Sequence, residues 1–344
     1  KIDDKYNFKF IDLFAGIGGF HIAMEELGGE CVFAAEWNQK CRETYTVNFS
    51  KFNRNIFDEK GTPNKYFCED ITKYNPEEIP DHDILCAGFP CQPFSQAGFE
   101  DTRGTLFFNV AEIVKVKKPK AVFLENVRGL LHHDNGKTFK VIQNTMNELG
   151  YNMYYNIVKA SDFNLPQHRP RLYMVCIRKD IKKAFFEPQK LDLTKTMSDI
   201  FDGAEVNKKI GFTLRVGGKG SAITDRRNWD GYIVDGKERR LKPKEGKRMQ
   251  GFPDDFEFPV SNNEAIRKFC CHTCNKSIWS KYFKNNFLGG VMISLNRGEW
   301  SELYCVLFLL VKPKIQVVDE KLNVLNSDLY EIKKIIAETN FPLE

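Results

Sequence analysis

Apolar runs and polar breaks alternate regularly along the first half of the chain. FKFIDLF (8–14) is an apolar strand, and Gly16, Gly18 and Gly19 predict a turn into a helix that reaches residue 28. CVFAAEW (31–37), HDILCAGFP (82–90), PKAVFLENV (119–127) and LYMVCIR (172–178) predict further strands. Between them, TLFFNVAEIVKVKK (105–118) and KTFKVIQNTMNELG (137–150) predict helices. Strands alternating with helices predict an α/β fold: a parallel sheet with helices on both faces. Ligands of such sheets bind beyond the carboxyl ends of the strands. Glu36, Glu125 and Cys91 all lie at those ends. From about residue 180 to 240 the pattern weakens, and RVGGKGSAITDRRNWDGY (215–232) predicts loops with little core of their own.

Charge adds little to this picture. Fifty-one Lys and Arg against 46 Asp and Glu leave a net charge of +5, which permits a nucleic-acid partner without demanding one. The charged opening KIDDK predicts no secretory signal peptide. The longest apolar run, CVLFLLV (305–311), is too short to span a bilayer. Ten cysteines without framework spacing predict reduced thiols in a cytosolic protein.

The candidate chemistry starts at the glycine turn. FAGIGG is neither a dinucleotide fingerprint nor a phosphate-binding loop. Glu36, at the end of the next strand, is placed to accept from ribose hydroxyls. Trp37 beside it suits an adenine face, and Asp70 suits an exocyclic amine. Together they fit an adenosine-bearing cofactor without a pyrophosphate; a structural turn with surface acids fits the same residues.

Cys91 sits in GFPCQPFSQAGF (88–99), a polar loop stiffened by Pro90 and Pro93. Only a thiolate is a useful nucleophile, and backbone N–H groups at a helix start lower its pKa. A structural cysteine instead lies inside an apolar run, as Cys86 and Cys176 do, and both are assigned to the core. In QHRPRL (167–172), Gln167, Arg169 and Arg171 alternate, so an extended segment points them to one face. That face suits an anion or a base edge, although a solvated strand start would read the same way.

In order along the chain, FAGIGG, the acid after the second strand, GFPCQPFS, ENV, QHRPR and RRLKPKEGKRMQGFPDDF (239–256) resemble the C5-cytosine DNA methyltransferases of bacterial restriction–modification systems. The resemblance covers about residues 8–268. It implies a Rossmann-like, S-adenosylmethionine-dependent methyltransferase sheet with a small DNA-recognition domain. The expected division is a catalytic and cofactor-binding domain at 1–181, a recognition region at 182–238 and a return segment at 239–268. It implies Cys91 as nucleophile on C6 of a flipped cytosine, Glu125 at N3 and the amino group, Arg169 at the O2 edge and Arg171 shaping that wall. The cofactor residues would be Phe14, Ala15, Gly16, Ile17, Gly18, Gly19, Glu36, Trp37, Asp70, Ile71 and Pro90. Ser95 and Arg103 would belong to a loop that closes over the DNA, with Gln167 also at the DNA. Arg215, Arg226, Arg227 and Asn228 are candidates for bases or phosphates. The implied partners are duplex DNA and, functionally, a cognate restriction endonuclease; the protein is expected to be a monomer without a metal.

The family pattern breaks after SNNEAIRKF. There the chain reads FCCHTCNKSIWSKYFKNNF (269–287) instead of a GNSV-type segment and a closing helix. A zinc site from Cys270, Cys271, His272 and Cys274 lacks the second ligand pair that a closed site needs. A one-nucleotide shift explains the stretch better, because the same codons can then spell SVVTPVIKVFGANILKII, the family segment lacking only its Gly-Asn. The expectation is a frameshift near residue 269, with 269–344 as an atypical tail. Residues 294–323 resemble the N-terminal start of a type II restriction endonuclease family, as a read-through into a neighbouring gene would. Leu329, Ile332 and Ile336 in that tail have helical spacing without an obvious partner.

Overall fold

The computed structural model describes residues 7–90, 106–181, 185, 190–215 and 217–271. Seven strands form one sheet: β1 (Phe8–Leu13), β2 (Gly29–Ala35), β3 (Phe67–Cys68), β4 (Ile84–Ala87), β5 (Ala121–Val127), β6 (Tyr151–Lys159) and β7 (Pro170–Arg178). Their order is β3-β2-β1-β4-β5-β7-β6. Helices α1 (Gly19–Glu25), α2 (Gln39–Phe49), α3 (Leu106–Lys117) and α4 (Lys137–Glu148) fall between the strands.

The expectation of a parallel sheet holds for β1 to β5 and fails at β7, which runs antiparallel to both β5 and β6. The cause lies in the connections. Helix α4 carries the chain across to β6, which lands one position further out than β5's neighbour. A short turn through Ala160–Phe163 then sends β7 back into the vacant slot. Antiparallel neighbours need no crossover helix. The reversal brings the start of β7, not its end, to the carboxyl edge of the parallel strands: Arg171 pairs with Val127.

One face of the sheet buries Ile11, Leu13, Leu85, Ala87, Val122 and Leu124 against Phe107, Val110 and Val114 of α3 and Ile142 and Met146 of α4. The other face meets α1 and α2, where the ring of His21 packs edge-on against Phe10 and stacks on Phe49 at 4.0 Å. Cys86 and Cys176 are fully buried, as their apolar runs predict.

His21 and His82 are buried among these elements, and burial pushes their imidazoles down to about 3 and about 4 from an ordinary 6.5. A histidine held neutral in the fold stabilises it above its unfolded pKa. That contribution is lost as pH falls, because the unfolded chain takes up the proton first. The melting temperature is therefore expected to hold above pH 6.5 and to decline from there toward pH 4. Calorimetry across that window, with His82→Gln flattening the decline, checks it.

Residues 190–240 hold more core than their loop-rich sequence predicts. Helix α5 (Met197–Ile200) and the hairpin β8 (Gly231–Val234)–β9 (Lys237–Arg240) surround the buried Trp229 and Tyr232. The indole of Trp229 donates to Gly217 O at 2.9 Å, and Tyr232 Oη accepts from Phe212 N at 3.0 Å. Two scattered aromatics give no periodicity, so the pattern could not reveal that the loops wrap around them. Helices α6 (Pro243–Gln250) and α7 (Asn262–Cys271) follow and pack on each other, with Gly246 against the ring of Phe269.

Candidate active site at the carboxyl edge of the sheet

The first half of the site grows from β1 and β2. After Leu13 the chain turns through three left-handed residues, Phe14 (φ 56), Gly16 (φ 58) and Gly18 (φ 88). A Cβ on Gly18 would lie 2.1 Å from Phe49, so neither the conformation nor the packing admits a side chain there. Ala15 N donates to Ala35 O at 2.9 Å and pins the turn beside the end of β2. There Glu36, buried to 5% exposure, accepts from Gly16 N through Oε2 and from Asn38 N through Oε1, both at 2.8 Å. Trp37 stands beside it, 70% exposed. Beyond β3, Asp70 caps a short turn and accepts from Thr72 Oγ1 at 2.7 Å, with Lys73 3.0 Å away. The Thr72 hydroxyl is the largest cause holding the Asp70 carboxyl below the usual range. Ala15, Ile17, Gly19 and Ile71 are buried in the floor, and Pro90 is exposed at the rim.

The second half grows from β4, β5 and β7. Asn126 Nδ2 donates to Phe89 O at 2.9 Å, tying the segment after β4 to the end of β5. A Cβ on Gly88 would sit 3.7 Å from Glu125 Oε2. Glu125 is 6% exposed, and Arg171 Nε lies 3.0 Å from its Oε1. The ENV tripeptide thus supplies an acid facing the site and an amide that holds the neighbouring loop.

The two arginines of QHRPR part company. Arg171, within β7, meets Glu125. Arg169 is 1% exposed, and its Nη1 donates to Leu214 O at 3.3 Å and Phe269 O at 3.4 Å. Gln167, expected at the DNA, is fully buried, and neither atom of its amide has a hydrogen-bond partner among the described residues. The strict alternation fails because 166–168 is stitched to Gly211 by two main-chain bonds of 2.8 Å, which turns Gln167 inward.

Among the expected base- or phosphate-reading residues, Arg215, Arg226 and Arg227 are exposed. Arg215 Nη2 donates to Arg227 O at 2.9 Å, and Arg227 pairs with Asp225 at 2.7 Å, which lowers the Asp225 carboxyl to about 2. Asn228 is corrected: at 4% exposure it closes its own loop, with Oδ1 accepting from Gly231 N and Nδ2 donating to Gly231 O, both at 3.0 Å. Cys91, Ser95 and Arg103 lie outside the described residues. So do His272, Cys274, the side chains of Cys270 and Cys271, and the tail with its nuclease-like 294–323.

Two residues escape the sequence reading. Asp12 is fully buried on β1, and burial first, then the charge of Glu36, pushes its carboxyl well above the usual range. Its only sequence signal is an acid inside an apolar strand. Arg42 lies on α2 and reaches back to the carbonyls of Glu36 and Trp37; nothing in EWNQKCRETY marks it.

The described residues thus gather a glycine turn with a buried acid bound to it, and a buried acid–arginine pair, on one sheet edge. The family model of the C-5 cytosine-specific DNA methylases matches residues 8–225 and 207–274. The chain belongs to that family. Among its relatives, the type II methyltransferase M.HhaI of Haemophilus parahaemolyticus is 38% identical over 304 residues, covering 76% of this chain and 89% of the relative. The type II methyltransferase M.HpaII of Haemophilus parainfluenzae is 38% identical, covering 76% and 84%. Solved methyltransferase structures share the fold. The DNMT2 of Spodoptera frugiperda superposes with a TM-score of 0.61 at 18% identity, over 81% of this chain and 99% of the other. A putative DNA modification methyltransferase from an E. coli prophage gives 0.62 at 19% identity, over 83% and 100%. As a methylase of this family, the chain is a DNA cytosine-5 methyltransferase. Among the described residues, no helix is long and apolar enough to cross a membrane.

Proposed function

We propose that the enzyme takes its methyl group from S-adenosylmethionine and places it on a cytosine flipped out of a short duplex site, which protects that site from a cognate endonuclease. The observation that carries this reading is the Arg171–Glu125 pair at 3.0 Å, on the same sheet edge as the Glu36-bound glycine turn.

The residues fit the cofactor. A buried carboxylate beside the turn suits the ribose, an exposed indole suits the adenine face, and the capped Asp70 suits the exocyclic amine. S-adenosylmethionine, when bound, supplies an electrophilic methyl group. The protein must make C5 of cytosine nucleophilic enough to take it. Cys91 thiolate attacks C6, forming an S–C6 bond and moving electron density to C5. The Glu125 carboxyl accepts from the amino group and passes a proton to N3, which neutralises the negative charge that thiolate attack moves into the ring. The O2 edge, expected of Arg169, is here assigned to Arg171 instead, because Arg171 pairs with Glu125 while Arg169 is buried. Arg169, bound to Leu214 and Phe269 carbonyls, acts as a positioning residue behind that wall. After methylation, water takes the C5 proton, the S–C6 bond breaks to release the thiolate, and N3 returns its proton to Glu125, which restores the aromatic ring. C6 is inaccessible inside a duplex, so the target leaves the stack. We assign 1–181 to catalysis and cofactor binding, 182–238 to target recognition with Arg215, Arg226 and Arg227 exposed, and 239–268 to the return segment.

Incubation with labelled S-adenosylmethionine and unmethylated duplex DNA, followed by nucleoside analysis, tests the reading. Label in 5-methylcytosine of the duplex is expected. Label entering only tRNA would redirect the substrate, and DNA binding without transfer would mark an impaired remnant.

A further inference from the structure

The tie between the two cofactor acids does not come from the sheet alone. β2 and β3 pair only at Ala34↔Phe67 and Ala35↔Cys68, and the last main-chain bond between them is Glu36 N to Cys68 O at 3.0 Å. Beyond that point Trp37 and Asp70 emerge on separate loops. Arg42 spans the gap. Its Nη1 donates to Glu36 O at 2.9 Å and to Trp37 O at 2.7 Å, and its Nη2 lies 3.0 Å from Glu69 Oε1.

The placement of this arginine is unusual for its helix. Arg42 lies near the amino end of α2, whose first turn carries no acid. The helix dipole disfavours a cation there. Residues that break a local rule concentrate at functional sites. Glu69 is 68% exposed, so its ion pair alone adds little stability. The Arg42 side chain itself is better shielded, at 18% exposed. A planar guanidinium can grip two loops at once, and an ammonium cannot copy that geometry.

We infer that Arg42 is a positioning residue of the cofactor site: it clamps the Glu36–Trp37 loop to the Glu69–Asp70 loop and so sets the spacing at which the two acids receive an adenosine. The inference rests on the reading of these acids as the S-adenosylmethionine site. Loss of the clamp frees both loops and weakens adenosine binding without touching the base-binding half of the site.

The experiment is calorimetric titration of the full chain with S-adenosylhomocysteine and, separately, with adenosine. Arg42→Met keeps the stem and removes the fork. It is expected to raise Kd about tenfold for both ligands, the scale of losing hydrogen bonds to a charged group. Arg42→Lys should recover part of that loss, and Glu69→Gln should cost less than either. The Kd for duplex DNA without cofactor should not move in any variant. In turnover, KM for the cofactor rises while kcat at saturation and KM for DNA stay put. A folded Arg42→Met protein with unchanged Kd for both ligands overturns the inference alone. A parent protein that binds neither ligand overturns the cofactor reading and the inference with it. If Arg42→Met lowers the melting temperature and weakens DNA equally, or if it fails to fold and Arg42→Lys binds like the parent, the arginine is merely structural.

Discussion

Cys91→Ala is expected to lower methyl transfer by more than about 10³-fold, since no other group can replace a missing nucleophile. DNA and cofactor binding should survive, because neither depends on the thiol. Cys91→Ser should fare little better than alanine, as a serine hydroxyl is not ionised near neutrality. No neighbouring thiol offers a rescue among the described residues: Cys31, Cys41, Cys68, Cys86 and Cys176 are all buried and reduced. Burial also pushes the Cys31, Cys68 and Cys176 thiols up, away from the thiolate. The described residues just before it are held at the acid of β5, since Asn126 binds the Phe89 carbonyl and Gly88 stands beside Glu125. Single-turnover transfer into duplex DNA measures the loss. Transfer at the parent rate in Cys91→Ala would remove the covalent mechanism.

The same two halves explain what the sequence discloses and what it hides. Strand ends are legible because apolar runs stop at polar residues. That places Glu36 and Glu125 at one edge before any coordinates are known. The turn is legible because FAGIGG needs residues that tolerate left-handed backbone, and Gly16 and Gly18 adopt it. Phe14 adopts it too, against its type, and no pattern foretells that. Direction in the sheet is not legible: LYMVCIR reads as one more strand, and only the hairpin with β6 reverses it. That reversal sorts the arginines. Arg171 is inside the regular strand and faces Glu125, whereas Gln167 and Arg169 precede it or sit at its margin and are turned by long-range bonds to Gly211, Leu214 and Phe269. Contacts across 40 or more residues leave no periodic trace in a sequence. Asn228 misleads for a related reason, since an asparagine that reads adenine and one that closes a loop look alike until burial distinguishes them.

Glu125→Gln is expected to lower kcat by about 10²–10³-fold, the scale of removing one preorganised electrostatic partner. Glutamine keeps the shape and can hydrogen-bond the base, but it has no acidic proton to pass to N3 as thiolate attack makes the ring anionic. The change also strips Arg171 of its carboxylate. Both side chains are nearly buried, with 8% and 11% exposed, and breaking such a pair costs up to about 3–5 kcal/mol. Stability and catalysis must therefore be separated. In the double variant Glu125→Gln/Arg171→Met the lone buried cation is gone, so the melting temperature should return toward the parent value. Activity should not return, because the double variant lacks both the carboxyl proposed at N3 and the guanidinium proposed at the O2 edge. If it did return, Glu125 would serve only to neutralise Arg171, and the stabilisation of the ring would have to come from elsewhere on the wall.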